Sequence, residues 1–218
     1  MKNIVLITIM MIFMAANILA GELTAAVKVG DIDTVKYILE EDKAGINERD
    51  GYGKTLLINA VMSGQDEIAE YLIAAGANVN LQDDTGNTAL MMAIYYENNY
   101  IAKKLMVSGS DIDLKDMKGK SALSISVSKT NFDIVKALGE LGADINSQDN
   151  EGKTPIILAV ESRNMDMINS VLEFKPNMEI KDNNLASVFT MAKKYKDQEI
   201  ISVLEKYRNS IEVSVARY

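Results

Sequence analysis

The sequence repeats with a period of 33 residues, and this repeat restricts the possible folds more than any other feature. When the chain is written in rows of 33, glycine and aspartate each fall into a column. The glycine column contains Gly53, Gly86, Gly119 and Gly152, and the aspartate column contains Asp50, Asp83, Asp116, Asp149 and Asp182. A unit of this length is one supersecondary motif that buries little apolar surface alone, so neighbouring units must stack.

Apolar and small residues recur in the same register. One apolar column contains Leu57, Leu90, Leu123, Ile156 and Phe189, and a small-residue column contains Ala60, Ala93, Ser126, Ala159 and Ala192. Two further apolar columns begin at Ile68 and Leu72. The unit before Asp50 fits with one extra residue in its loop. The sequence therefore predicts six units over residues 21–207, near 22–50, 51–83, 84–116, 117–149, 150–182 and 183–207.

The two ends of the array differ from its centre. The first unit lacks the Gly-Lys-Thr start, and Leu185 stands where the last unit should have its glycine. Such departures are typical of terminal units, because each has one face in water. The tail over 208–218 alternates apolar and polar residues, which fits either a short strand on the last unit or an unstructured end.

Each unit carries the local signals of two short helices joined by turns. The GADIN segment at 142–146 begins with a glycine suited to ending a helix in the left-handed conformation. The Asp-x-x-Gly segment that follows is typical of a tight turn. A hydroxyl residue then stands where it can cap the next helix, at Thr55, Thr88, Ser121, Thr154 and Ser187. The second helix has an apolar stripe at i, i+4 spacing.

The segment GKTPIILAV at 152–160, together with its GADIN-type loop, resembles the ankyrin repeat, and the resemblance covers essentially all of the chain after residue 21. It implies an all-α fold, an α-solenoid of about six stacked helix-turn-helix units joined by β-hairpin-like loops. The sequence departs from the family at the histidine that follows Thr-Pro-Leu and ties the loop together by hydrogen bonds. That position holds Ile58, Met91, Ser124 and Ile157, and the proline is kept only at Pro155.

The first 20 residues, MKNIVLITIMMIFMAANILA, differ from the rest of the chain. Lys2 precedes an apolar run over 4–16, and a small residue, Ala20, stands where a signal peptide ends. The sequence therefore predicts a secretory signal peptide over 1–20, cleaved between Ala20 and Gly21. The alternative is an uncleaved anchor, although the run spans only about 20 Å as a helix, against a hydrocarbon core of about 30 Å. We expect an exported bacterial protein, periplasmic or secreted, that leaves the membrane after cleavage.

Composition argues against catalysis and against nucleic-acid binding. The formal net charge is −8, whereas a nucleic-acid binder needs a basic surface to replace phosphate counterions. The chain contains no His and no Cys, so it lacks an imidazole base, a thiol nucleophile and the usual ligands of a zinc site. We therefore expect no enzymatic activity and no cofactor.

Two motifs look like ligand sites, but the sequence favours structural roles for both. Gly-Lys-Thr or Gly-Lys-Ser occurs at 53–55, 119–121 and 152–154. A phosphate-binding loop needs a glycine five residues earlier, where this chain has Glu48, Leu114 and Ser147. The lysines of the three copies, Lys54, Lys120 and Lys153, are therefore interpreted as solvated loop residues. The aspartate column could suggest calcium, but stacked loops place its members side by side and not around one ion. We expect no metal site.

The resemblance places a partner-binding surface on a concave face formed by the turn tips and the exposed side of each first helix. The predicted partner-binding residues are Tyr52, Lys54, Met62, Asp84, Thr85, Tyr95, Tyr96, Met117, Lys118, Ser128, Asn150, Glu151, Glu161 and Ser162. Tyrosine gives large contact area at low entropic cost, and methionine adapts its shape. Tyr95 and Tyr96 lie between Ile94 and Glu97 and cannot both pack inside, so we expect a partner contact there.

The sequence thus predicts an exported, monomeric, non-catalytic scaffold that binds a protein partner through a preorganised face. Two alternatives stay open at this point. One is an effector delivered into a host cell, where the same face engages a host protein. The other is a structural or protective envelope protein without a single partner.

Overall fold

The structure, a computed structural model, describes residues 21–41 and 43–215. The predicted signal peptide over 1–20 lies outside the described residues, and of the predicted cleavage site only Gly21 is described, as a helical residue. Regular structure in the described ranges is helical, apart from isolated antiparallel bridges between Arg49 and Thr55 and between Lys115 and Ser121. The all-α fold class is confirmed.

The helices fall into two compact units, Met1–Ser110 and Asp111–Tyr218, which we call the N-terminal half and the C-terminal half. The N-terminal half contains α1 (21–29), α2 (Ile32–Glu41), a 3-10 helix (Lys43–Asn47), α3 (Leu56–Met62), α4 (Asp66–Ala74), α5 (Ala89–Tyr95) and α6 (Asn99–Val107). The C-terminal half contains α7 (Ala122–Ser128), α8 (Phe132–Glu140), α9 (Pro155–Ser162), α10 (Met165–Leu172), α11 (Val188–Tyr195) and α12 (Gln198–Val215).

Within each half, successive helix-turn-helix pairs stack on one another, as in the predicted solenoid. In the N-terminal half α3 packs on α4 and on α5, and α4 packs on α6. In the C-terminal half α7 packs on α8 and on α9, and α9 packs on α10 and α11. The core lies between first and second helices, where Leu57, Ile68 and Leu72 are buried. Because the first helices α3, α5, α7, α9 and α11 are only seven or eight residues long, this packing stabilises them more than their own propensity does.

The aspartate column forms the turns, as the sequence predicts. Asp50 Oδ1 accepts hydrogen bonds from the amides of Tyr52 and Lys54, and the Gly53 amide donates to the Asp50 carbonyl. The same pattern recurs at the other aspartates of the column, Asp83, Asp116, Asp149 and Asp182. These carboxylates are therefore engaged by backbone amides within their own turns.

Neighbouring turns within a half are joined by further hydrogen bonds. The Asp84 amide donates to the Tyr52 carbonyl at 3.1 Å. Gly53 has a φ of 70°, and a Cβ atom there would lie 2.8 Å from the Asp84 amide nitrogen. The glycine column is thus required both by the left-handed backbone and by the close approach of the next turn.

A second set of hydrogen bonds joins the loops that precede the turns. The Asn78 amide donates to Asn47 Oδ1 at 2.8 Å, 31 residues earlier. In the C-terminal half, the amides of Asp144 and Asn177 donate in the same way to Asp113 and Asn146. The polar residues just before the aspartate column therefore hold neighbouring repeats in register.

Hydroxyl caps begin the first helices, with one exception. The side chains of Thr55, Thr88, Ser121 and Ser187 each accept an amide of the first helical turn. Thr154 makes no such hydrogen bond, and its buried Oγ1 has no partner among the described residues. At the position of the family's histidine, Ser124 and Thr190 place a hydroxyl 3.3 Å from the capping serine. Ile58, Met91 and Ile157 occupy that position by packing.

The prediction for the C-terminal tail was wrong over residues 208–215. These residues form neither a strand nor an unstructured end, because α12 continues from Gln198 to Val215. The chain has no Gly or Pro after Tyr207, so nothing interrupts the i to i−4 hydrogen bonds of the helix.

Within the described ranges, no helix combines the length and the apolar character that a membrane span requires.

Candidate functional site

The predicted partner-binding residues of the N-terminal half lie on its turn tips and at the ends of its first helices. Tyr52, Asp84 and Thr85 occupy the tips and are exposed, and the Tyr52 side chain is 71% exposed. The Lys54 ammonium lies 5.3 Å from the centroid of the Tyr52 ring, which makes a cation–π contact. Lys54 itself is half-buried. The turn that contains Tyr52 therefore exposes an aromatic side chain at its tip.

Tyr95 and Tyr96 form the most apolar exposed feature of this surface. Helix α5 buries Leu90, Ala93 and Ile94, which turns Tyr95 away from the core. Tyr96 follows as the C-cap, and Glu97 takes a φ of 60° to turn the chain toward α6. The two rings meet edge to face, with centroids 6.2 Å apart, and are 57% and 52% exposed. As expected from the sequence, they do not both pack inside.

Met62 and Met92 extend this surface on neighbouring first helices. Met62 ends α3 at the position that Tyr95 has in α5, and it is half-buried. Met92, one turn before Tyr95, is also half-buried and was not among the partner-binding residues predicted from the sequence. The column of Met92 gave no signal for this position, because Asn59 and Ile125 in the same column are buried.

Two exposed acidic side chains lie on the turns before and after α5. Asp84 lies on the turn tip before α5, and Glu97 follows Tyr96. Both are exposed, and among the described residues neither has a basic side chain within ion-pair distance. Within this half the surface around Tyr95 and Tyr96 therefore has uncompensated negative charge.

The predicted residues of the C-terminal half are mostly engaged by the chain itself. Met117 and Lys118 are exposed at a turn tip. The Asn150 side-chain amide donates to the Met117 carbonyl at 2.8 Å, so Asn150 joins neighbouring turns. The hydroxyls of Ser128 and Ser162 donate to carbonyls of their own helices. These three side chains have structural hydrogen bonds that the sequence did not reveal.

Lys153 lies at the centre of a charge cluster in the C-terminal half. Its ammonium is 2.9 Å from Glu151 and 3.0 Å from Glu161, and it is half-buried. The hydrogen bond to Glu151 raises the pKa of Lys153 above its usual value, the opposing effect of burial is smaller, and Glu161 adds to the increase. The same hydrogen bond lowers the pKa of Glu151. The interpretation of Lys153 as a solvated loop residue was therefore wrong, because neighbouring carboxylates hold it.

The N-terminal half exposes tyrosines and carboxylates that lie at turns and helix ends. In the C-terminal half, Lys153 is ion-paired with Glu151 and Glu161. Among the described residues, no three acidic side chains come together as metal ligands. In the N-terminal half, the face supplies aromatic area, adaptable methionines and free carboxylates. These groups bind other molecules by burial, cation–π contacts and ion pairs.

A comparison with known families agrees with this architecture. A family model described as ankyrin repeats, three copies long, matches residues 23–116 and again residues 90–184. Together the two matches span residues 23–184, well over half of the chain.

Proposed function

Because the chain belongs to the ankyrin-repeat family, we propose that it is an exported, non-catalytic scaffold that binds a protein partner. Ankyrin repeats are generally protein–protein interaction modules, and the family is typically non-enzymatic. The proposed contact surface is the turn tips and first-helix ends, with its strongest part around Tyr95 and Tyr96.

The observation that carries this proposal is the exposed tyrosine pair at the end of α5. Both rings are more than half exposed, whereas Leu90, Ala93 and Ile94 of the same helix are buried. Tyrosine has an apolar body and a polar hydroxyl, so it can be buried by a partner without leaving an unsatisfied group. Its two side-chain torsions make the entropic cost of binding low.

The fold supports recognition because it fixes the backbone beneath this surface. The Tyr52 carbonyl accepts the Asp84 amide, and Thr88 caps the start of α5. A surface held in this way loses little conformational freedom on binding, so more of the contact energy appears as affinity.

We propose export on the basis of the apolar segment over 1–20, with its single Lys2 and small Ala20. The exported scaffold would then bind its partner in the periplasm or outside the cell, and it would act there as a monomer. Amino-terminal sequencing of the protein purified from its native host tests this directly. A mature chain that begins at Gly21 supports export, and a chain that begins at Met1 contradicts cleavage.

The tyrosine surface is tested by cross-linking the protein in its native host and identifying the captured partner. We expect the double variant Tyr95→Ala and Tyr96→Ala to capture that partner at least about tenfold less efficiently, because truncated aromatic anchors typically cost 2 kcal/mol or more. The melting temperature should barely change, since both side chains are exposed.

A matched control is Tyr37→Ala. Tyr37 is an exposed tyrosine of the same half, 68% exposed, but it lies on the second helix α2. Capture should be unchanged in this variant. If the double variant captures the same partner as well as the unmodified protein does, the assignment of the contact surface is wrong.

A further inference from the structure

We propose that the partner presents a basic, extended segment, with an arginine or lysine placed against Tyr95 and Tyr96 and paired with Glu97. This inference rests on the proposed function and names the chemistry of the partner at that surface. Three observations support it: the net charge of the N-terminal half, the free carboxylates beside the tyrosines, and the contacts that other tyrosines of this half make.

The negative charge of the protein is concentrated in the N-terminal half. Residues 21–110 contain 14 acidic and 7 basic side chains, a net charge of −7, whereas residues 111–218 contain 17 and 15, a net charge of −2. A basic segment is attracted to such a surface over about 8–10 Å at moderate ionic strength, which favours its encounter with this half.

The carboxylates on the turns at the two ends of α5 lack the internal partners that the C-terminal half provides. There, Lys153 pairs with Glu151 and Glu161, and Arg163 pairs with Asp197 at 3.1 Å. Asp84 and Glu97 have no such ion pair among the described residues. A cation from a partner therefore gains an ion pair here without displacing a cation of the chain.

Cations already lie over tyrosine rings elsewhere in this half. The ammonium groups of lysines lie 5.3–5.8 Å from ring centroids in three pairs, Lys36 with Tyr71, Lys54 with Tyr52, and Lys104 with Tyr100. Tyr100 combines both types of contact, since its hydroxyl donates to Glu70, which also pairs with Lys104. Tyr96 and Glu97 offer the same combination of ring and carboxylate to a cation from outside.

The length of α5 gives a scale for the spacing of the partner's basic residues. Asp84 lies on the turn five residues before this helix begins, Glu97 lies two residues after it ends, and the seven helical residues themselves extend about 10 Å. An extended peptide advances about 3.3 Å per residue, so basic residues roughly four positions apart can meet both carboxylates. The segment that fits has two arginines or lysines at this spacing, with apolar residues between them to cover the tyrosine and methionine surface.

The test uses the full chain and two synthetic peptides. One is a capped nonapeptide with two arginines four positions apart in a leucine and serine background. The other replaces each arginine by citrulline, which has nearly the same shape but no charge. Isothermal titration calorimetry at low salt should show binding at least about tenfold tighter for the arginine peptide. Equal affinity for the two peptides would overturn the proposal.

Variants then locate the contact. Tyr95→Ala with Tyr96→Ala should weaken the arginine peptide by roughly tenfold, and Tyr96→Phe should retain its affinity because the ring is kept. Glu97→Gln should weaken binding roughly threefold and reduce its dependence on salt. Glu67→Gln, a matched control at an exposed glutamate on the second helix α4 of the same half, should leave affinity unchanged. If the tyrosine variant binds as well as the unmodified protein, the proposed position of the cation is wrong.

The outcome is distinguishable from that of the capture experiment. If the captured partner depends on Tyr95 and Tyr96 but contacts them through an acidic or wholly apolar segment, this inference fails and the proposed function stands. If the arginine peptide binds as described but partner capture does not depend on the tyrosines, the site for basic segments stands and the proposed contact surface for the native partner fails.

Discussion

The two halves have the same repeat but use different residues where the backbone must be left-handed. Between first and second helices, the N-terminal half has Gly30, Gly64 and Glu97 at positive φ, whereas the C-terminal half has Thr130, Arg163 and Lys196. The C-terminal half also places Lys175 and Leu185 at positive φ, where other repeats have glycine. A non-glycine residue in this conformation costs about 1 kcal/mol or more.

The side chains of the two halves differ in a related way. In the C-terminal half, Arg163 and Lys153 are held by carboxylates of neighbouring segments, so exposed charge contributes to the half's own structure. In the N-terminal half, glycines meet the backbone requirement at two of the three turns between helices, Gly30 and Gly64, and the tyrosine pair and Glu97 are exposed. One repeat pattern thus supports a half in which the turn carboxylate Glu151 is ion-paired within the chain, and a half in which the turn carboxylates Asp84 and Glu97 have no ion pair among the described residues.

The largest effect should come from Gly53→Ala in the N-terminal half. The backbone there has a φ of 70°, and a Cβ atom would lie 2.8 Å from the amide nitrogen of Asp84. The backbone atom cannot rotate away, so the turn-to-turn hydrogen bond from Asp84 to Tyr52 must lengthen or break. We expect a loss of about 3 kcal/mol in the free energy of unfolding, measured by urea titration with far-UV circular dichroism.

Gly64→Ala is the matched control, because it measures only the free-energy cost of placing a non-glycine residue in the left-handed conformation. Gly64 has a φ of 67°, but nothing lies within 4 Å of the position of its Cβ atom. The loss should therefore be about 1 kcal/mol. The reverse exchange, Leu185→Gly in the C-terminal half, should stabilise the protein by up to about 1 kcal/mol. If Gly53→Ala and Gly64→Ala lower the free energy of unfolding equally, the close approach between turns at Gly53 contributes nothing to stability.

A second, smaller effect distinguishes the helix caps of the two halves. Thr55 caps α3 by accepting the Ile58 amide at 3.2 Å, whereas the buried hydroxyl of Thr154 at α9 has no partner among the described residues. Thr55→Val should therefore cost about 1 kcal/mol of unfolding free energy. Thr154→Val keeps the shape and removes a buried polar atom, so it should be neutral or stabilise by up to about 1 kcal/mol.

Urea titrations of the two valine variants, run in parallel with the unmodified protein, provide the measurement. The contrast between them matters more than either value, because both replace the same residue type at the same repeat position. A similar loss in both variants would mean that the Thr154 hydroxyl is bonded in solution and that the two halves cap alike.

The sequence predicted the fold well because the repeat determines it. The 33-residue columns identified the Asp50-type turns and the capping hydroxyls, since each of these roles needs one residue type at one position. Thr154 was the exception among the caps. The continuation of α12 beyond Tyr207 was not predicted, because the sequence there alternates apolar and polar residues although no Gly or Pro interrupts the helix.

The candidate site was predicted less completely. The repeat identifies exposed positions, so Tyr95 and Tyr96 were correctly expected outside the core. The columns do not show which exposed side chains bond within the chain. The Asn150 bond to Met117 and the Lys153 pairs depend on side-chain conformations and on residues of other turns, which no single column contains.

The smallest expected effect concerns acid, and it compares Asp50 of the N-terminal half with Asp197 of the C-terminal half. Burial acts to raise the pKa of Asp50, but the Tyr52 amide, Asn59, the Lys54 amide and Lys28 together lower it below its usual value. The Ile200 amide and then Arg163 lower the pKa of Asp197.

In both cases the unfolded chain takes up protons at a higher pH than the native protein does. The stability that these carboxylates contribute is therefore fully present above their ordinary pKa of 3.8 and is lost as pH falls through the lower native value. Because the chain has no His or Cys, we expect unfolding free energy to be nearly flat between about pH 6 and 8 and to fall in acid.

Two asparagine variants separate the contributions of the halves. Asp197→Asn removes the charge that pairs with Arg163, so the variant should lose less stability than the unmodified protein between pH 6 and 3, and high salt should reduce the difference. Asp50→Asn should likewise reduce the acid sensitivity, but with weaker dependence on salt, because three of the four groups that lower its pKa are uncharged hydrogen-bond donors. Urea titrations at each pH, with and without added salt, give the comparison. If the salt dependence is the same for both variants, charge pairing does not distinguish the C-terminal half from the N-terminal half at these positions.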